Sequence, residues 1–93
     1  MSILILDCSL YYISITLLNK KGNVICYNNN KNINTENYVI YIINILNKYH
    51  NYLFNIQIII LIINNFCQAF TKISISIANT LKFIFGSYLF FFL

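Results

Sequence analysis

The sequence predicts one small α/β domain in which three strands precede two helix–strand units, in the order β-β-β-α-β-α-β. Three observations support this fold class. The chain has 93 residues, which suffices for one domain but not for two. Its first third contains β-rich segments separated by a glycine turn. The remainder switches twice between helical spacing of apolar residues and short continuous apolar runs.

The composition is dominated by residues that A- and T-rich codons encode. Ile and Asn supply 20 and 15 of the 93 residues, whereas glycine occurs twice and proline and tryptophan do not occur. We infer an extremely A/T-biased genome, which raises the mean hydropathy to +0.68 without any selection for lipid. The net charge of +4 comes from six scattered lysines, a pattern that does not indicate a nucleic-acid-binding face.

The apolar runs at residues 56–63 and 81–93 are shorter than the about 20 residues that a membrane-spanning helix requires. The amino terminus has no basic segment and carries Asp7 within its apolar stretch, so it does not predict an export signal. We therefore expect a cytoplasmic protein with three reduced cysteines, whose number and spacing fit neither disulfides nor zinc. The alternative is a small membrane-associated protein, a hypothesis that depends on the apolar carboxyl terminus.

Three strands are expected before residue 28. Residues 2–6 form a continuous apolar run that ends in Asp7, Cys8 and Ser9, as expected of a buried central strand whose carboxyl end opens onto a site. A second strand is predicted at residues 12–18, a turn at residues 19–23 and a third strand at residues 24–27. Together, residues 2–27 predict a three-stranded antiparallel meander. The asparagine-rich residues 28–34 are predicted to form a polar connection.

The first helix is predicted over residues 35–49. Asn34 or Thr35 can cap its amino end, and Glu36 in the first turn complements the helix dipole. Apolar residues recur at helical spacing and are expected to face the sheet: Val39, Ile42, Ile43, Leu46 and Tyr49. The β-branched residues 57–63 then predict a buried strand.

Residues 70–85 fit two patterns. The alternation of Ile73 to Ile77 suits a strand, whereas a stripe at helical spacing suits a helix, and periodicity alone does not decide between them. Gly86 is a natural residue to end a helix, and residues 88–93 predict a final strand. The complete order is that of the ribonuclease-H-like half of the actin, sugar-kinase and Hsp70 (ASKHA) fold.

Four segments carry a resemblance to a known protein family. Asp7 and Ser9 end the first strand where the family has Asp-Thr-Ser, and residues 14–18 follow where it has a strand of the type Ser-Val-Ala-Leu. Thr35 and Glu36 open the first helix where the family has His-Ser-Glu.

The fourth segment, residues 66–76, stands where the family has Gly-Pro-Gly-Ser-Phe-Thr-Gly-Leu-Arg-Ile-Gly, and it keeps Phe70 and Thr71. In this order the segments resemble the bacterial TsaB proteins, also called YeaZ and described as glycoprotease-like or peptidase M22-like. The resemblance implies a helix for residues 70–85. TsaB proteins are usually more than twice this long, so the resemblance implies a single amino-terminal lobe over residues 1–93, with the second lobe absent.

The resemblance implies an accessory protein rather than an enzyme. Asp7 lies where nucleotide-binding members of the wider superfamily place a metal-orienting carboxylate. However, the glycines that would cradle a phosphate are replaced at Phe66, Gln68 and Lys72. The sequence has one histidine and no zinc-binding His-x-x-x-His motif. We expect no catalytic residues, no cofactor and no metal.

TsaB proteins are noncatalytic partners of TsaD, the enzyme that completes threonylcarbamoyladenosine in tRNA, and the two pair through helices of their amino-terminal lobes. The resemblance implies a heterodimer with a TsaD-type protein. A TsaE-type ATPase and a second copy of the chain are possible further partners. It implies only indirect contact with tRNA and no association with a membrane. Four side chains are expected at the helical partner interface: Tyr38, Ile45, Phe83 and Phe85. An eroding TsaB remnant without function is the remaining alternative.

Overall fold

The computed structural model describes residues 2–8, 13–30, 34–49, 56–63 and 68–92. They form strands β1 (Ser2–Asp7), β2 (Ile13–Asn19) and β3 (Val24–Asn30), helix α1 (Thr35–Lys48), strand β4 (Ile56–Ile62), helix α2 (Gln68–Phe85) and strand β5 (Tyr88–Phe92). This is the predicted α/β order, and it resolves the ambiguous segment as a helix.

The five strands form one sheet in the order β3-β2-β1-β4-β5. Strands β1, β2 and β3 pair antiparallel, which confirms the predicted meander. Strands β4 and β5 extend the sheet on its other side, with β4 parallel to β1 and β5 parallel to β4. This mixed five-stranded arrangement is consistent with the predicted ribonuclease-H-like lobe.

The turn between β2 and β3 is closed by one asparagine and one glycine. The Asn19 side-chain oxygen accepts hydrogen bonds from the backbone N–H groups of Lys21 and Asn23, at 3.0 and 2.9 Å. Gly22 has a φ of +84°, a conformation that costs other residues energy. These local interactions explain why the turn was predictable from its sequence.

Strand β3 is longer than predicted. The sequence assigned Asn28 and its successors to a polar connection, but Asn28, Asn29 and Asn30 continue the strand and pair with Ile15, Ser14 and Ile13 of β2. Asparagine has low strand propensity. Here β3 is an edge strand of the sheet, and the exposed Asn28 and Asn29 pair with the neighbouring residues of β2. The prediction of a loop at residues 28–30 is therefore wrong.

The two faces of the sheet differ in burial. Along β1, alternate residues are buried and half-buried, and the same alternation recurs in β4. We call the buried side the covered face, because its residues form the core with α1 and α2. Its members are Leu4, Leu6, Cys8, Ile13, Ile15, Leu17, Cys26, Ile59 and Leu61. We call the opposite side the open face.

Helix α1 is rotated relative to its predicted orientation. Tyr38 and Ile42 are fully buried, whereas Val39 and Ile43, which were expected to face the sheet, are 40% and 48% exposed. Tyr41 is half-buried, and its hydroxyl donates to the Asn28 side-chain oxygen at 2.6 Å. The sheet-facing stripe is therefore shifted by about one residue, because the larger Tyr38 and Tyr41 occupy the space above the sheet.

Helix α2 packs on the core through small residues at its centre. Ser74 and Ala78 are completely buried, and their small side chains let the helix approach β4 and α1 closely. Leu81, one turn further on, is nearly completely buried. Ile84, near the end of the helix, is exposed. Gly86, with a φ of +65°, ends the helix as predicted. The buried Ser87 hydroxyl then donates to the Ile56 carbonyl oxygen at 2.8 Å and ties this end to β4.

Candidate interaction groove between the two helices

An apolar groove of about 280 Å³ lies between α1 and α2 on the side of the helices away from the sheet. We call it the helix groove. Its only side-chain polar atoms are two hydroxyl groups, and that of Thr80 donates to the Ser76 carbonyl oxygen at 2.8 Å. Eight residues line it: Val39, Ile42, Ile43, Leu46, Ser76, Ile77, Thr80 and Leu81. Such a surface suits apolar side chains of another protein better than a polar ligand.

Two buried hydroxyl groups join the helices. The side chains of Tyr38 and Ser74 share a hydrogen bond in the interior, where both residues are completely buried. The ring of Tyr38 also packs against that of Phe70, with centroids 5.4 Å apart and planes tilted by 58°. Burial raises the pKa of Tyr38 to about 12, so the phenol is neutral at physiological pH. This contact holds the two walls of the groove in a fixed relation.

The four predicted interface residues lie in different environments. Tyr38 is inside the core, so its prediction as a surface contact is wrong: the packing of α1 against α2 has already buried it. Ile45 and Phe85 are partly buried and pack against the core. Phe83 is 90% exposed on α2 and is available to a partner. A role for Phe83 in partner binding stays a prediction.

Sequence reasoning missed two residues of the helix groove, Val39 and Ile43. Both were assigned to the sheet-facing stripe, although they form the exposed wall of the groove on α1. The sequence did contain a signal for these two residues, because the apolar residues of α1 cover more of the helix circumference than one sheet-facing stripe requires. A helix that carries apolar residues on more than one side commonly contacts more than one partner.

Asp7 occupies the carboxyl end of β1, as predicted. It is half-buried and lies in register with Ser14 of β2 and Ile62 of β4, so it sits on the open face. Cys8 follows it on the covered face, where its thiol donates to the Ile62 carbonyl oxygen at 3.4 Å. Cys8 and Cys26 are both buried.

The remaining residues of the family pattern are distributed along the two helices. Thr35 begins α1, and the exposed Glu36 lies in its first turn. Phe70 is half-buried against Tyr38, and Thr71 is half-buried in the first turns of α2. Phe70 packs against the core rather than facing an open site. Ser9, His50, Phe66 and Cys67, and the side chains of Thr35 and Gln68, lie outside the described part of the structure.

Within the described ranges, no three His, Cys, Asp or Glu side chains lie close enough together to bind a metal ion. None of the helices in this part of the chain is long and apolar enough to cross a membrane. The helix groove is a concave surface whose lining chemistry is that of apolar contact.

Comparisons with known proteins identify the fold. No protein-family model and no curated protein sequence matches the chain. Among solved structures, YeaZ from Pseudomonas aeruginosa superposes with a TM-score of 0.73 at 17% identity, over 97% of this chain and 42% of that one. A second Pseudomonas aeruginosa protein, described as similar to the peptidase YeaZ, superposes with a TM-score of 0.69 at 18% identity, over the same shares.

The chain thus spans less than half the length of the solved structures that it matches. At these identities the similarity is one of fold. The resemblance to TsaB that the ordered sequence segments suggested is confirmed at this level: the chain has the fold of part of a YeaZ protein.

Proposed function

We propose that this chain is a noncatalytic, cytoplasmic scaffold that binds a TsaD-type enzyme and supports threonylcarbamoyladenosine modification of tRNA. The observation that carries the proposal is the helix groove, an apolar and partly exposed surface on a chain with the YeaZ fold. TsaB proteins, which the sequence resembles, pair with TsaD through helices. The role proposed for the groove is to receive the helices of that partner.

The chemistry of the groove supports protein binding. Its walls are aliphatic and carry no ionisable side chain. Val39 and Ile43 leave apolar surface in water that a helix packed between α1 and α2 would cover. Interhelical packing needs this kind of surface, in which side-chain ridges of one helix enter the groove between two others. Phe83 lies further along α2 and extends the apolar surface.

The proposal is tested by binding to a TsaD-type protein from the same genome, measured by surface plasmon resonance. Ile43→Lys places a charge in the apolar groove, and we expect it to weaken the complex at least about 30-fold, as for loss of an interface hot spot. Ile40→Lys is the matched control. Ile40 is 58% exposed on the same helix but does not line the groove, so this variant should bind within about threefold of the wild type.

Two further measurements complete the test. Phe83→Lys should also weaken binding while the circular-dichroism spectrum is unchanged, because the side chain is almost fully exposed. Expression of the chain in a TsaB-depleted strain should restore modified adenosine in tRNA, as quantified by mass spectrometry. The proposal is wrong if the wild-type chain forms no complex, or if Ile43→Lys and Ile40→Lys bind equally well.

A further inference from the structure

Two lysines lie at the end of the sheet where its parallel strands begin. Strands β1, β4 and β5 are parallel, so all three begin at the same end. Strand β2 finishes there, because Asn19 pairs with Ser2 at the start of β1. The turn that follows β2 contains Lys20 and Lys21, and both side chains are exposed. The turn therefore contributes two positive charges to this end of the molecule.

Both helices finish at this same end. Tyr38, in the first turns of α1, meets Ser74 in the first half of α2, and the helix groove continues between later turns of both helices, so the two run parallel. The hydrogen bond from the Ser87 hydroxyl places the end of α2 at the start of β4. Lys48 and Lys82 lie in the last turns of α1 and α2, and both are exposed.

We call this end of the molecule the basic end, and its lysines are Lys20, Lys21, Lys48 and Lys82. The remaining described lysine, Lys72, lies at the opposite end near the start of α2. Glu36 in the first turn of α1 and Asp7 at the carboxyl end of β1 lie there too. Within the described ranges the basic end thus has no acidic side chain. The carboxyl end of each helix contributes about half a negative charge, which leaves a net charge of roughly +3.

The fold changes how the lysines are interpreted. They are scattered along the sequence, and their spacing alone does not indicate a basic face. In the structure, three strand spacings separate β2 from β5, so the basic end is about 14 Å wide before the lysine side chains extend it. Several positive charges within this width suit a partner with closely and regularly spaced negative charges, as in a nucleic-acid backbone.

A concavity of about 430 Å³ lies at the basic end. We call it the terminal pocket, and its lining residues are Asn79, Lys82, Phe83, Gly86 and Ser87. Unlike the helix groove, it combines a cation and an amide with an aromatic ring. Phe83 is 90% exposed, so a base can stack on its ring, and the Asn79 amide can both donate to and accept from the edge of a base.

We propose that the basic end binds a strand of RNA, with backbone phosphates at its lysines and one unpaired base in the terminal pocket. Lysine binds phosphate as a point charge, and proteins hold unpaired RNA bases by stacking and by hydrogen bonds to the base edge. An acidic protein would supply the negative charge but no base for the pocket. A lipid surface would require an apolar face beside the lysines rather than a polar pocket.

This direct contact differs from the indirect contact with tRNA that the family resemblance implies. It also does not depend on the helix groove or on the enzyme partner proposed above, because none of the four lysines lines that groove.

Lys82 and Lys72 provide a matched pair of positions for the test. Both are exposed on α2, but only Lys82 lies at the basic end. Binding of the full chain to a fluorescein-labelled RNA hairpin with an unpaired loop is followed by anisotropy between about 50 and 200 mM salt. We expect Lys72→Gln to bind as the wild type does. Lys82→Gln should weaken binding about threefold or more and reduce the slope of log K against log salt by about 0.7–0.9.

The lysines of the turn are tested in the same way. The double variant Lys20→Gln with Lys21→Gln should reduce the salt slope by about twice as much as Lys82→Gln does, since two phosphate contacts are lost. All of these side chains are exposed, so the circular-dichroism spectra and melting temperatures should match those of the wild type. An unchanged salt slope in the double variant overturns the proposal.

The terminal pocket is tested with a blunt RNA duplex of the same length. The wild type should bind the hairpin about fivefold or more tightly than the duplex, because the duplex has no unpaired base to stack. Asn79→Ala should reduce this preference, and alanine is well tolerated at an exposed helical position. Phe83 is not varied here, because it is also a predicted contact of the enzyme partner. Equal binding of hairpin and duplex by the wild type overturns the proposal.

Three other results also overturn it. Equal losses with Lys82→Gln and Lys72→Gln would mean that net charge, rather than the basic end, attracts the RNA. Displacement of the RNA by polyglutamate at equal charge concentration would identify an acidic protein as the better occupant. Tighter binding to phosphatidylglycerol vesicles than to the hairpin would identify a lipid surface.

The RNA proposal and the proposed function fail separately. Ile43→Lys alters the helix groove and should bind the hairpin as tightly as the wild type does. Lys82→Gln leaves the groove unchanged and should bind the TsaD-type protein as tightly as the wild type does. If Lys82→Gln loses the enzyme while RNA binding is unchanged, the basic end belongs to the enzyme interface and the RNA proposal is wrong.

Discussion

Tyr38 is the residue whose side chain connects the two helices to the core. Its ring fills space between α1 and Phe70 of α2, and its hydroxyl group finds a buried partner in Ser74. A buried phenol hydroxyl group without a hydrogen-bond partner would destabilise the fold. Ser74 provides that partner, so Tyr38 can be buried without this loss. The pair also fixes how α2 lies against α1, and therefore the width of the helix groove.

At this residue scale, we predict that Tyr38→Phe lowers the free energy of unfolding by about 1–3 kcal/mol, because it leaves the buried Ser74 hydroxyl without its partner. Urea denaturation followed by circular dichroism measures this change. The double variant Tyr38→Phe with Ser74→Ala should lose less than the two single variants together, since it removes both polar groups. Additive losses would show that the hydrogen bond does not couple the two positions.

Helix α1 shows how an element of biased composition acquires two contact surfaces. Its buried residues face the sheet, while Val39, Ile40 and Ile43 remain exposed. Isoleucine is so frequent in this chain that apolar residues occur on most of the helix circumference. The amino end is specified more sharply. The Asn34 side-chain oxygen accepts a hydrogen bond from the Asn37 backbone N–H at 2.9 Å, and Glu36 lies in the first turn.

At the element scale, we predict that Asn34→Ala lowers the free energy of unfolding by about 1 kcal/mol, as loss of an N-cap generally does. Asn44→Ala is the control, since Asn44 is exposed in the middle of the same helix and alanine has the higher helix propensity. The control should be as stable as the wild type or slightly more so. Equal destabilisation by both changes would contradict a capping role for Asn34.

In the described part of the chain, one helical layer packs on one face of a sheet that is apolar on both faces. The helix groove and the open face lie on opposite sides of the sheet. Both surfaces are partly exposed in the isolated chain, which at 93 residues buries only somewhat more than about 60% of the surface of its unfolded form. We therefore expect its stability to rise when either surface is occupied.

At the molecular scale, we predict that stability falls as the pH rises from about 10 to about 12. Burial raises the pKa of both Tyr38 and Tyr41 to about 12, against an ordinary value of 10.0. Between these values the folded chain binds more protons than the unfolded chain, so the free energy of unfolding decreases with pH. Below about pH 10 both states hold these protons, and the two tyrosines contribute no pH dependence.

Thermal unfolding between pH 8 and pH 12 measures this effect. The melting temperature of the wild type should be insensitive to these tyrosines at the lower end and should fall through the upper end. Tyr38→Phe should show a shallower alkaline decrease than the wild type, although it is less stable at pH 8. An equal slope in the two proteins would mean that Tyr38 ionises as readily in the folded chain as in the unfolded one.

The sequence by itself determined the order of the elements, the meander, the β2–β3 turn, the amino end of α1 and the carboxyl end of α2. These features depend on local interactions: Gly22 and Asn19 in the turn, Asn34 at the N-cap, and Gly86 after α2. The family pattern also predicted a helix where periodicity was ambiguous. Such signals do not depend on what the rest of the chain does.

Tertiary structure decided which side of each element is buried and how far β3 extends. Isoleucine occurs on several sides of α1, so hydrophobic periodicity did not distinguish the stripe around Tyr38 from the stripe around Val39. The fit of Tyr38 against Ser74 and Phe70 made that choice, and it exposed Ile43 in the helix groove. Likewise, pairing with β2 extends β3 through Asn28, Asn29 and Asn30, although asparagine favours loops. Both choices depend on partners distant in sequence, which local patterns do not encode.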